Sequence, residues 1–415
     1  MSLKKLLLLV TLCSLLSGCN VTNLLRMRYA NDHLIAEWPT NQTQVKLRST
    51  YVGEKPYVYA SINGIDGFKF MIDTGASMTY LLDTTKVKAL NLSQGYTLSI
   101  GGWGDEEDTP IFQTEVDKLT LSGVNFTGVN LAYIPVSKSK YFLRPDEATF
   151  DGVLGHDILH HFSWSFDKRA NRINISSQAY QANGSEISIE FDTFLSKISI
   201  EGRMNFGDSQ IVPQELIIDT GSRHYLKVNA AFVINNEINL PGRSITAVDF
   251  GLSGRTIHQR VTIPELKLGT LKIANIKANL IGNKDDDEDE NWVIGSALIN
   301  QFISIIDYHS GNLHLITYSD APFRTRYNLL GLELRKIQSG DFVVRYVFPD
   351  MASAKFDIKE GDTISSINAQ PSTSISQGQW LDITSTEDQH QICRKRNKEK
   401  CFTITSREIP GYSAN

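Results

Sequence analysis

The sequence predicts a mainly β protein, with a body of two β lobes followed by a small α+β domain. Three observations lead to this prediction. Short apolar runs separated by Gly, Asn and Asp turns fill residues 46–320, as expected of strands and hairpins. A half of about 140 residues occurs twice within that range. Residues 321–408 belong to neither copy, and their sequence pattern differs from that of the repeated half.

Length and composition are those of an ordinary folded protein. The 415 residues are enough for two or three domains of about 150 residues each. Charged residues make up 21% of the chain and hydrophobic residues 41%, which is typical of globular proteins. The net charge of −5 argues against general binding to nucleic acid, so we expect no nucleic-acid partner.

The N-terminus carries a targeting segment. Two lysines precede an apolar run, residues 6–16, that is too short for a mature transmembrane helix. Ser and Gly before Cys19 resemble a bacterial lipobox, in which residues 1–18 are the signal peptide and the cysteine is lipidated. By resemblance to bacterial sorting rules, Asn20 favours an outer-membrane anchor facing the periplasm, with residues 19–45 as a polar tether. The alternative is a plain secretory signal with an incidental cysteine.

The remaining cysteines fit an oxidising compartment. Of the four in the chain, Cys13 leaves with the signal and Cys19 carries the lipid, which leaves Cys393 and Cys401. The charged stretch between these two looks like the tip of a hairpin. We therefore expect a disulfide across that hairpin, with two free thiols as the alternative.

The repeated half begins with the same four residues, Ile-Asp-Thr-Gly. The two copies lie at residues 72–75 and 218–221, each directly after an apolar run that reads as a strand. A second shared segment follows in each half and runs from a Gly through a Phe to an Asp. Its members have identical spacings, at Gly155, Phe162 and Asp167 and at Gly295, Phe302 and Asp307. Unrelated segments would not agree at so many positions, so the chain contains a duplication.

These paired motifs resemble the half-signature of aspartic peptidases of the pepsin and retropepsin type. The resemblance covers an N-terminal lobe at residues 46–180 and a C-terminal lobe at residues 181–320. Retropepsins assemble one site from two identical chains, whereas pepsin-like enzymes carry both halves in one chain. Both halves lie in one chain here, so we expect a monomer. The resemblance implies that Asp73 and Asp219 form the catalytic pair and that the ligand is a polypeptide substrate.

The same resemblance assigns roles to the residues beside the two acids. Thr74 and Thr220 match hydroxyls that interlock the two active-site loops. Gly75 and Gly221 allow the backbone to approach the acids closely. We therefore expect these four residues, together with Ser222, to support the active-site loops.

The two acids are expected to share one proton, because neighbouring carboxyl groups cannot both ionise. The halves differ after the glycine, with Ala76 in one and Ser222 in the other. A hydroxyl that donates to the charged form lowers a carboxyl pKa, so Ser222 would favour an ionised Asp219 and a protonated Asp73. The ionised acid would activate water and the protonated acid would donate to the scissile carbonyl oxygen. This chemistry needs no cofactor or metal, and we expect none.

Two glycine-rich turns are candidates for flaps over the bound substrate. Gly102 and Trp103 belong to the first turn, and Gly251 and Gly254 belong to the second. The two turns follow their acids at similar distances, and glycines there would allow hinge-like motion. Trp103 is the candidate for contact with substrate. The alternative is a pair of ordinary hairpin turns.

Residues 321–408 resemble the PDZ domains of bacterial periplasmic proteases. Leu330, Gly331 and Leu332 match the loop whose backbone N–H groups bind a peptide carboxylate. The resemblance implies a peptide C-terminus or a partner protein as the ligand of this domain. Asp357 stands where these domains usually have Gly, and Asp tolerates the left-handed conformation better than most residues.

Two further motifs suggest metal sites only weakly. His156 and His160 have the spacing of metalloprotease ligands, but the second half has Ser296 and Asn300 at those positions. The acidic run at residues 285–290 lacks the Gly of a calcium loop and reads as a solvated loop. Its charge would disfavour acidic substrates in a neighbouring cleft.

The sequence therefore predicts a membrane-tethered aspartic endopeptidase. The alternative is a catalytically inactive protein of the same fold that serves as a peptide-binding adaptor lipoprotein. Loss of activity would most simply show as a missing acid or a missing Thr-Gly, and both halves retain them. A purely structural lipoprotein would leave the paired acids unexplained.

Overall fold

The computed structural model describes residues 21–104, 108–135, 148–207, 211–290, 292–319, 323, 326–395 and 398–407. The signal peptide and Cys19 lie outside these residues. No helix in the described ranges is both long and apolar enough to cross a membrane. Most of the secondary structure is β-strand, and the strands form four sheets. The prediction of a mainly β fold is therefore confirmed.

The N-terminal lobe is built on one eight-stranded sheet. The lobe contains α1 (residues 21–28), β1 (Gln44–Leu47), β2 (Ser49–Val52), β3 (Lys55–Ile62), β4 (Ile65–Ile72), β5 (Tyr80–Leu82), α2 (Thr85–Lys88), β6 (Thr97–Ile100), β7 (Thr109–Leu121), β8 (Val124–Ile134), β9 (Gly152–Leu154), α3 (His156–Leu159), β10 (Ser163–Asp167) and β11 (Arg172–Ser176). The sheet has the order β2-β3-β4-β9-β5-β8-β7-β6. Phe68, Phe70 and Ile72 alternate along β4 and are fully buried, as a half-buried strand requires.

Apart from α1, the C-terminal lobe repeats this arrangement. It contains β12 (Ile187–Glu190), β13 (Asp192–Phe194), β14 (Lys197–Asn205), β15 (Ile211–Asp219), β16 (Leu226–Asn229), α4 (Ala230–Asn235), β17 (Ile245–Gly251), β18 (Gly254–Leu268), β19 (Leu271–Ile281), β20 (Val293–Gly295), α5 (Ser296–Ile299), β21 (Phe302–Asp307) and β22 (Asn312–Thr317). Its sheet has the order β13-β14-β15-β20-β16-β19-β18-β17, which matches the first sheet strand for strand. The duplication inferred from motif spacing therefore extends to the topology.

A six-stranded sheet joins the two lobes. Its order is β1-β11-β10-β21-β22-β12, with β10 of one half paired antiparallel to β21 of the other. Trp164 of β10 lies opposite Ile306 of β21, and both side chains are buried. Strand β10 begins directly after the shared Phe of its half, β21 begins at the shared Phe of the other half, and both strands end at the shared Asp. The conserved spacing within the repeat thus serves the interface between the lobes.

Residues 19–45 were expected to form a tether, and their described part packs against the N-terminal lobe instead. Met27 of α1 is 2% exposed and belongs to an apolar cluster with flap residues of that lobe. Asn31 Nδ2 donates to Asp157 Oδ2 at 2.7 Å, and both residues are buried. A few well-placed contacts dock this segment although its sequence has no sustained apolar period.

The C-terminal domain has the predicted α+β composition. It contains β23 (Leu332–Lys336), β24 (Phe342–Val347), β25 (Thr363–Ile367), β26 (Gln370–Pro371), α6 (Gln377–Thr384), β27 (Gln389–Lys395) and β28 (Glu399–Thr405). The sheet order is β23-β24-β25-β27-β28, with β26 paired to β25. Helix α6 starts at a capping box formed by Ser376 and Gln379, and its Trp380 is buried in the domain core.

Two sequence details of this domain have definite outcomes. Cys393 and Cys401 lie opposite each other on β27 and β28 and are joined by a disulfide. Asp357 does not adopt the left-handed conformation that was expected at its position. Its carboxylate accepts a hydrogen bond from Arg394 Nη2 at 2.6 Å, so Asp357 serves as an ion-pair partner.

Glu54 links all parts of the chain. It lies in the turn between β2 and β3 and is 6% exposed. Its carboxylate accepts from Lys168 Nζ, which lies after β10, and from Arg326, which precedes the C-terminal domain. Asn300 Nδ2, from the C-terminal lobe, donates to the same carboxylate at 3.1 Å. Arg326 also pairs with Asp382 of α6.

Replacing this carboxylate should weaken the whole molecule. We expect Glu54→Gln to lower the free energy of unfolding by about 2 to 4 kcal/mol, because two cations lose a buried partner. Glu201→Gln is the matched control. Its pair with Arg203 is largely exposed, at 64% and 61%, and its loss should cost less than about 0.5 kcal/mol. Denaturant unfolding of both variants checks this, and equal losses would contradict it.

Candidate active site

The two acids stand at equivalent strand ends. Asp73 follows β4, and Asp219 is the last residue of β15. Strands β9 and β20 run parallel to β4 and β15 and deliver Gly155 and Gly295 beneath the two loops. A Cβ on Gly155 would lie 2.4 Å from the backbone of Met78, and one on Gly295 2.1 Å from a backbone oxygen. The shared glycines are therefore required by space.

Four hydrogen bonds lock the two acid-bearing loops together. Thr74 Oγ1 donates to Ile218 O at 2.6 Å and accepts from Thr220 N at 3.0 Å. Thr220 Oγ1 donates to Ile72 O at 2.8 Å and accepts from Thr74 N at 3.1 Å. Each hydroxyl thus satisfies one donor and one acceptor of the other half. Since both threonines are buried, water does not compete for these bonds.

Each carboxyl group lies against the glycine of the other half. A Cβ on Gly221 would lie 2.3 Å from Cγ of Asp73, and one on Gly75 would lie 2.8 Å from Cγ of Asp219. Neither glycine has a positive φ, so both are needed for the close approach and not for an unusual backbone conformation. The two carboxyl groups are thereby brought face to face.

The surroundings of the pair favour a proton on Asp73. Burial, followed by the charge of Asp219 and a hydrogen bond between the two carboxyls, raises the pKa of Asp73 to about 7. Lys55 and the N–H of Gly75, which donates to Asp73 Oδ1 at 2.9 Å, act in the opposite direction. Asp73 therefore keeps its proton up to a higher pH than an ordinary aspartate does.

The expected role of Ser222 is wrong in its mechanism. The Ser222 hydroxyl is buried and has no hydrogen-bond partner in the described part of the chain. Its backbone N–H donates to Asp219 Oδ1 instead, at 2.9 Å. Asp73 Oδ1 likewise accepts from a backbone N–H, that of Gly75, which lies two residues after its acid where Ser222 lies three residues after. The Ser222 hydroxyl therefore does not create the predicted asymmetry.

The two flap candidates meet at their tips. Gly102 N donates to Ser253 Oγ at 3.0 Å, and Ser253 N donates to Trp103 O at 2.9 Å. A Cβ on Gly251 would lie 2.2 Å from Trp103 O, so this glycine is needed for close packing. Gly254 has φ +89° at the start of β18. The glycines therefore let the tips touch, which differs from the hinge role expected of them.

Trp103 rests on the opposite lobe. Its ring centroid lies 3.3 Å from Lys227 Nζ, a contact favoured by the negative face of an indole. Its Nε1 is buried without a hydrogen-bond partner among the described residues. The indole also lines the cleft that contains the two acids. Trp103 thus closes the cleft from above and presents part of its surface to the interior.

One cleft of about 2250 Å³ contains Asp73, Asp219 and both flap tips. Its volume exceeds the range of about 300 to 1,000 Å³ that is usual for small-molecule sites, as suits an extended chain. Residues of the C-terminal domain line it as well, including Arg335 and Arg345. The cleft is therefore bounded by three parts of the protein, not by the two lobes alone.

A charged network beside the acids was not anticipated from the sequence. Asp249 of β17 is buried, with its carboxylate 2.9 Å from His224 Nε2, 3.6 Å from Lys227 Nζ and 3.7 Å from Arg223 Nε. Burial alone would raise its pKa, but these neighbours hold the pKa of Asp249 well below its usual range. Arg223 also pairs with Glu333 of β23. In the sequence, the feature that could have indicated this network is a charged residue, Arg223, directly after Ser222.

The predicted carboxylate-binding loop is partly occupied by the chain itself. Leu330 N and Gly331 N both donate to Asn328 Oδ1, at 3.0 and 2.7 Å. Asn328 Nδ2 donates to Leu332 O at 2.8 Å. Gly331 has φ +84°, which aims its N–H into this turn. An incoming carboxylate would have to displace the Asn328 side chain to reach these two N–H groups.

The histidine motif has a packing role in this structure. His156 and His160 stack with ring centroids 5.2 Å apart, and burial lowers the pKa of His156 to about 4. Between them Asp157 accepts from Thr79 Oγ1 at 2.7 Å. Within the described ranges, no group of three or more His, Cys, Asp or Glu side chains is arranged to hold a metal ion.

The backbone of the acidic run holds the side chain that caps helix α4. Asn229 is the N-cap of α4, and its Nδ2 donates to Asp287 O and Glu290 O at 2.8 and 2.9 Å. Asp289 and Glu290 also line the cleft. The negative charge of these two residues therefore lies on the side of the cleft near α4.

Comparison with known proteins finds a likeness in the N-terminal lobe. A sequence model of the family described as aspartyl protease matches residues 58–158, which include Asp73 and Trp103. Among solved structures, the aspartic proteinase from Irpex lacteus is 15% identical, with a TM-score of 0.45. The match covers 66% of this chain and 98% of that one. The search of curated proteins found no match.

The hydroxyl lock between the loops can be tested by single substitutions. We expect Thr220→Val to lower the free energy of unfolding by about 2 kcal/mol, because a buried carbonyl and a buried N–H lose their partners. Thr220→Ser keeps the hydroxyl and should lose clearly less. Denaturant unfolding measures both, and a Val variant as stable as the Ser variant would contradict the lock.

Proposed function

We propose that this protein is an aspartic endopeptidase, in which Asp73 and Asp219 activate water for hydrolysis of peptide bonds. The observation that carries the proposal is the paired arrangement of these carboxyls on loops locked by Thr74 and Thr220. The match of the aspartyl protease family to residues 58–158 supports the same reaction class.

The reaction follows from a pair that holds one proton. Asp219 accepts a proton from the water while the water oxygen bonds to the scissile carbon, and Asp73 donates its proton to the carbonyl oxygen. The tetrahedral diol then collapses. The leaving nitrogen takes the proton from Asp219 as the C–N bond breaks, and Asp73 regains its proton from a hydroxyl of the diol. Protons balance without a covalent intermediate.

The flaps and the cleft favour an extended polypeptide as the substrate. The contacts between Gly102, Trp103 and Ser253 must open to admit a chain and can re-form above it. Closure excludes water and strengthens every electrostatic interaction with the acids. Since both acids belong to one chain, the proposed active form is a monomer.

The proposal places the enzyme in a bacterial envelope, anchored through lipid on Cys19 and facing the periplasm. The lipobox-like sequence before Cys19 supports the anchor, and the disulfide between Cys393 and Cys401 is typical of an oxidising compartment. The C-terminal domain acts as a PDZ module in substrate recruitment or regulation, with a peptide C-terminus or a partner protein as ligand. Displacement of Asn328 would be part of such binding.

The first test removes each acid in turn. Asp73→Asn and Asp219→Asn should each lower kcat about a thousandfold or more, because the pair then lacks its base or its shared proton. Asp117→Asn, an exposed position on β7, is the control and should keep full activity. Equal turnover in all variants would refute the pair. No turnover by the parent on a broad peptide library would favour the inactive adaptor.

The second test follows the proton on Asp73. Its pKa is raised to about 7, so the proton is present below that pH and is lost above it. We expect kcat/KM to fall as the pH rises through about 7. Ser222→Ala should leave the midpoint of this fall in place, because the hydroxyl has no partner. Activity independent of pH up to about 9, or a shift of the midpoint by Ser222→Ala, would contradict this assignment.

A further inference from the structure

Helix α1 turns its apolar face toward solvent. Val21, Leu24 and Leu25 are all exposed, and with 3.6 residues per turn they fall within an arc of about 100° on the helix surface. The opposite side holds the helix on the N-terminal lobe. There Asn23 Nδ2 donates to a backbone carbonyl of β6 at 2.9 Å, and Met27 is buried. The helix is therefore amphipathic, but its apolar face is not the face that packs on the lobe.

Exposed apolar side chains are concentrated in this part of the molecule. Of the eleven large hydrophobic side chains that are exposed in the described part of the chain, five lie within residues 21–35. Two more, Phe194 and Leu195, lie at the turn between β13 and β14. Single exposed hydrophobic residues are normal on a protein surface, whereas a cluster of them marks an interaction site.

The turn between β13 and β14 presents its two apolar residues at a conformational cost. Phe194 pairs with Lys197, so Leu195 and Ser196 form a two-residue hairpin turn. Both have a positive φ, of +47° and +67°. Such turns usually contain Asn and Gly, because a positive φ is unfavourable for a residue such as leucine. A leucine that is both strained and exposed here indicates a role outside the fold itself.

The equivalent turn of the N-terminal lobe lies between β2 and β3, and it is covered. A Cβ on Gly53 would lie 3.4 Å from Leu381 of α6, and Glu54 is buried. The C-terminal domain thus packs on the first turn, whereas the second turn leaves Phe194 72% exposed. The duplicated fold therefore has one apolar turn that the rest of the described chain leaves in water.

Helix α1 and the exposed turn meet at one edge of the cleft. Arg28 Nη2 of the helix donates to Ser196 Oγ of the turn at 2.8 Å. On its other side the turn approaches the loop of Asp73, where Ser77 Oγ lies 3.5 Å from Leu195 O. Leu24, Leu195 and Phe194 line the cleft that contains the acids. Together with Val21 and Leu25, these residues form what we call the apolar rim.

The position of Cys19 brings the apolar rim close to lipid. Cys19 lies two residues before Val21, and two residues of extended chain span at most about 7 Å. Acyl chains on Cys19 would therefore keep the start of α1 at the surface of the bilayer. Because Met27 and Asn31 dock the helix on the N-terminal lobe, the lobe would be held there as well.

We propose that the apolar rim is a membrane-binding surface and that its partner is the lipid bilayer carrying the anchor. The inference rests on the proposed lipid at Cys19, and it is independent of the peptidase reaction. Burial of the rim in lipid removes apolar surface from water. An anchor alone leaves the body free to rotate, whereas further contacts at α1 and at the β13–β14 turn fix its orientation. The edge of the cleft beside the rim then faces the bilayer.

The test places a fluorescent probe on the rim of the full lipidated chain, in vesicles of phosphatidylethanolamine and phosphatidylglycerol. Leu25→Cys introduces one reactive thiol, because Cys393 and Cys401 form a disulfide and Cys19 carries the lipid. Lipids brominated in their acyl chains should quench this probe. Iodide in the water should quench it about fivefold less than a probe away from the rim, because interfacial helices enter the headgroup boundary. Phe194→Cys should give the same result.

Ile234→Cys is the matched control. Ile234 is 50% exposed on α4 and Leu25 is 48% exposed on α1, so the two positions differ in location and not in exposure. Ile234 lies beside the acidic run at residues 285–290, a surface that a bilayer does not favour. Its probe should be accessible to iodide and should not be quenched by brominated lipid.

A second substitution tests whether the turn contributes to binding. Phe194→Ser should increase iodide quenching of the Leu25 probe about twofold, because the rim loses its most exposed aromatic side chain. Ile65→Ser removes a side chain that is 50% exposed elsewhere and should leave this quenching unchanged. Thermal unfolding checks that each variant is folded.

Three outcomes would overturn this inference. The first is equal iodide quenching at Leu25 and Ile234. The second is protection from iodide without quenching by brominated lipid, which would mean that a second copy or a bound polypeptide covers the rim. The third is a mature chain without acyl groups on Cys19 by mass spectrometry, which would also refute the proposed anchor. Peptide cleavage by the same vesicles is a separate measurement, so its failure would refute only the proposed peptidase reaction.

Discussion

Two buried carboxyl groups held face to face are the constraint on which the rest of the structure depends. Such groups repel unless they share a proton, so the backbone that carries them must resist their separation. The crossed hydrogen bonds of Thr74 and Thr220 supply this resistance at the loops. The sheet that joins β10 to β21 supplies it behind them. A duplicated fold is a direct solution, because one lock then serves both acids.

The sequence predicted the features that depend on local pattern and on repetition. The spacing from Gly155 to Asp167 and from Gly295 to Asp307 identified equivalent strands, and the structure gives those strands equivalent places. The sequence did not reveal where the Ser222 hydroxyl points, because the rotamer of a side chain depends on packing against residues distant in the sequence. The sequence pattern identified the flap glycines. The reason why glycine is needed there is the close approach of the two flap tips, which is a tertiary contact.

The C-terminal domain likewise has features that the sequence predicted and contacts that it did not predict. Its α+β type was predicted from a resemblance to PDZ domains, and the structure shows that helix α6 starts at a capping box of Ser376 and Gln379. Its interactions were not, because Asn328 and Gln377 are polar residues of ordinary appearance. The Asn328 amide bonds to backbone groups of residues 330–332, and the Gln377 amide bonds to backbone groups of β23. Primary amides carry both a donor and an acceptor, so they can replace a peptide group without any signature in the sequence.

The segments on either side of the duplicated body break its symmetry at corresponding places. β6 and β17 are the outermost strands of the two eight-stranded sheets and would present unpaired edges. Helix α1 covers the first, where Asn23 Nδ2 donates to Thr97 O at 2.9 Å. The C-terminal domain covers the second, where Thr246 N donates to Asp350 Oδ2 at 3.2 Å. A single helix covers one flap and a whole domain the other, so the cleft has one thin wall and one thick, charged wall.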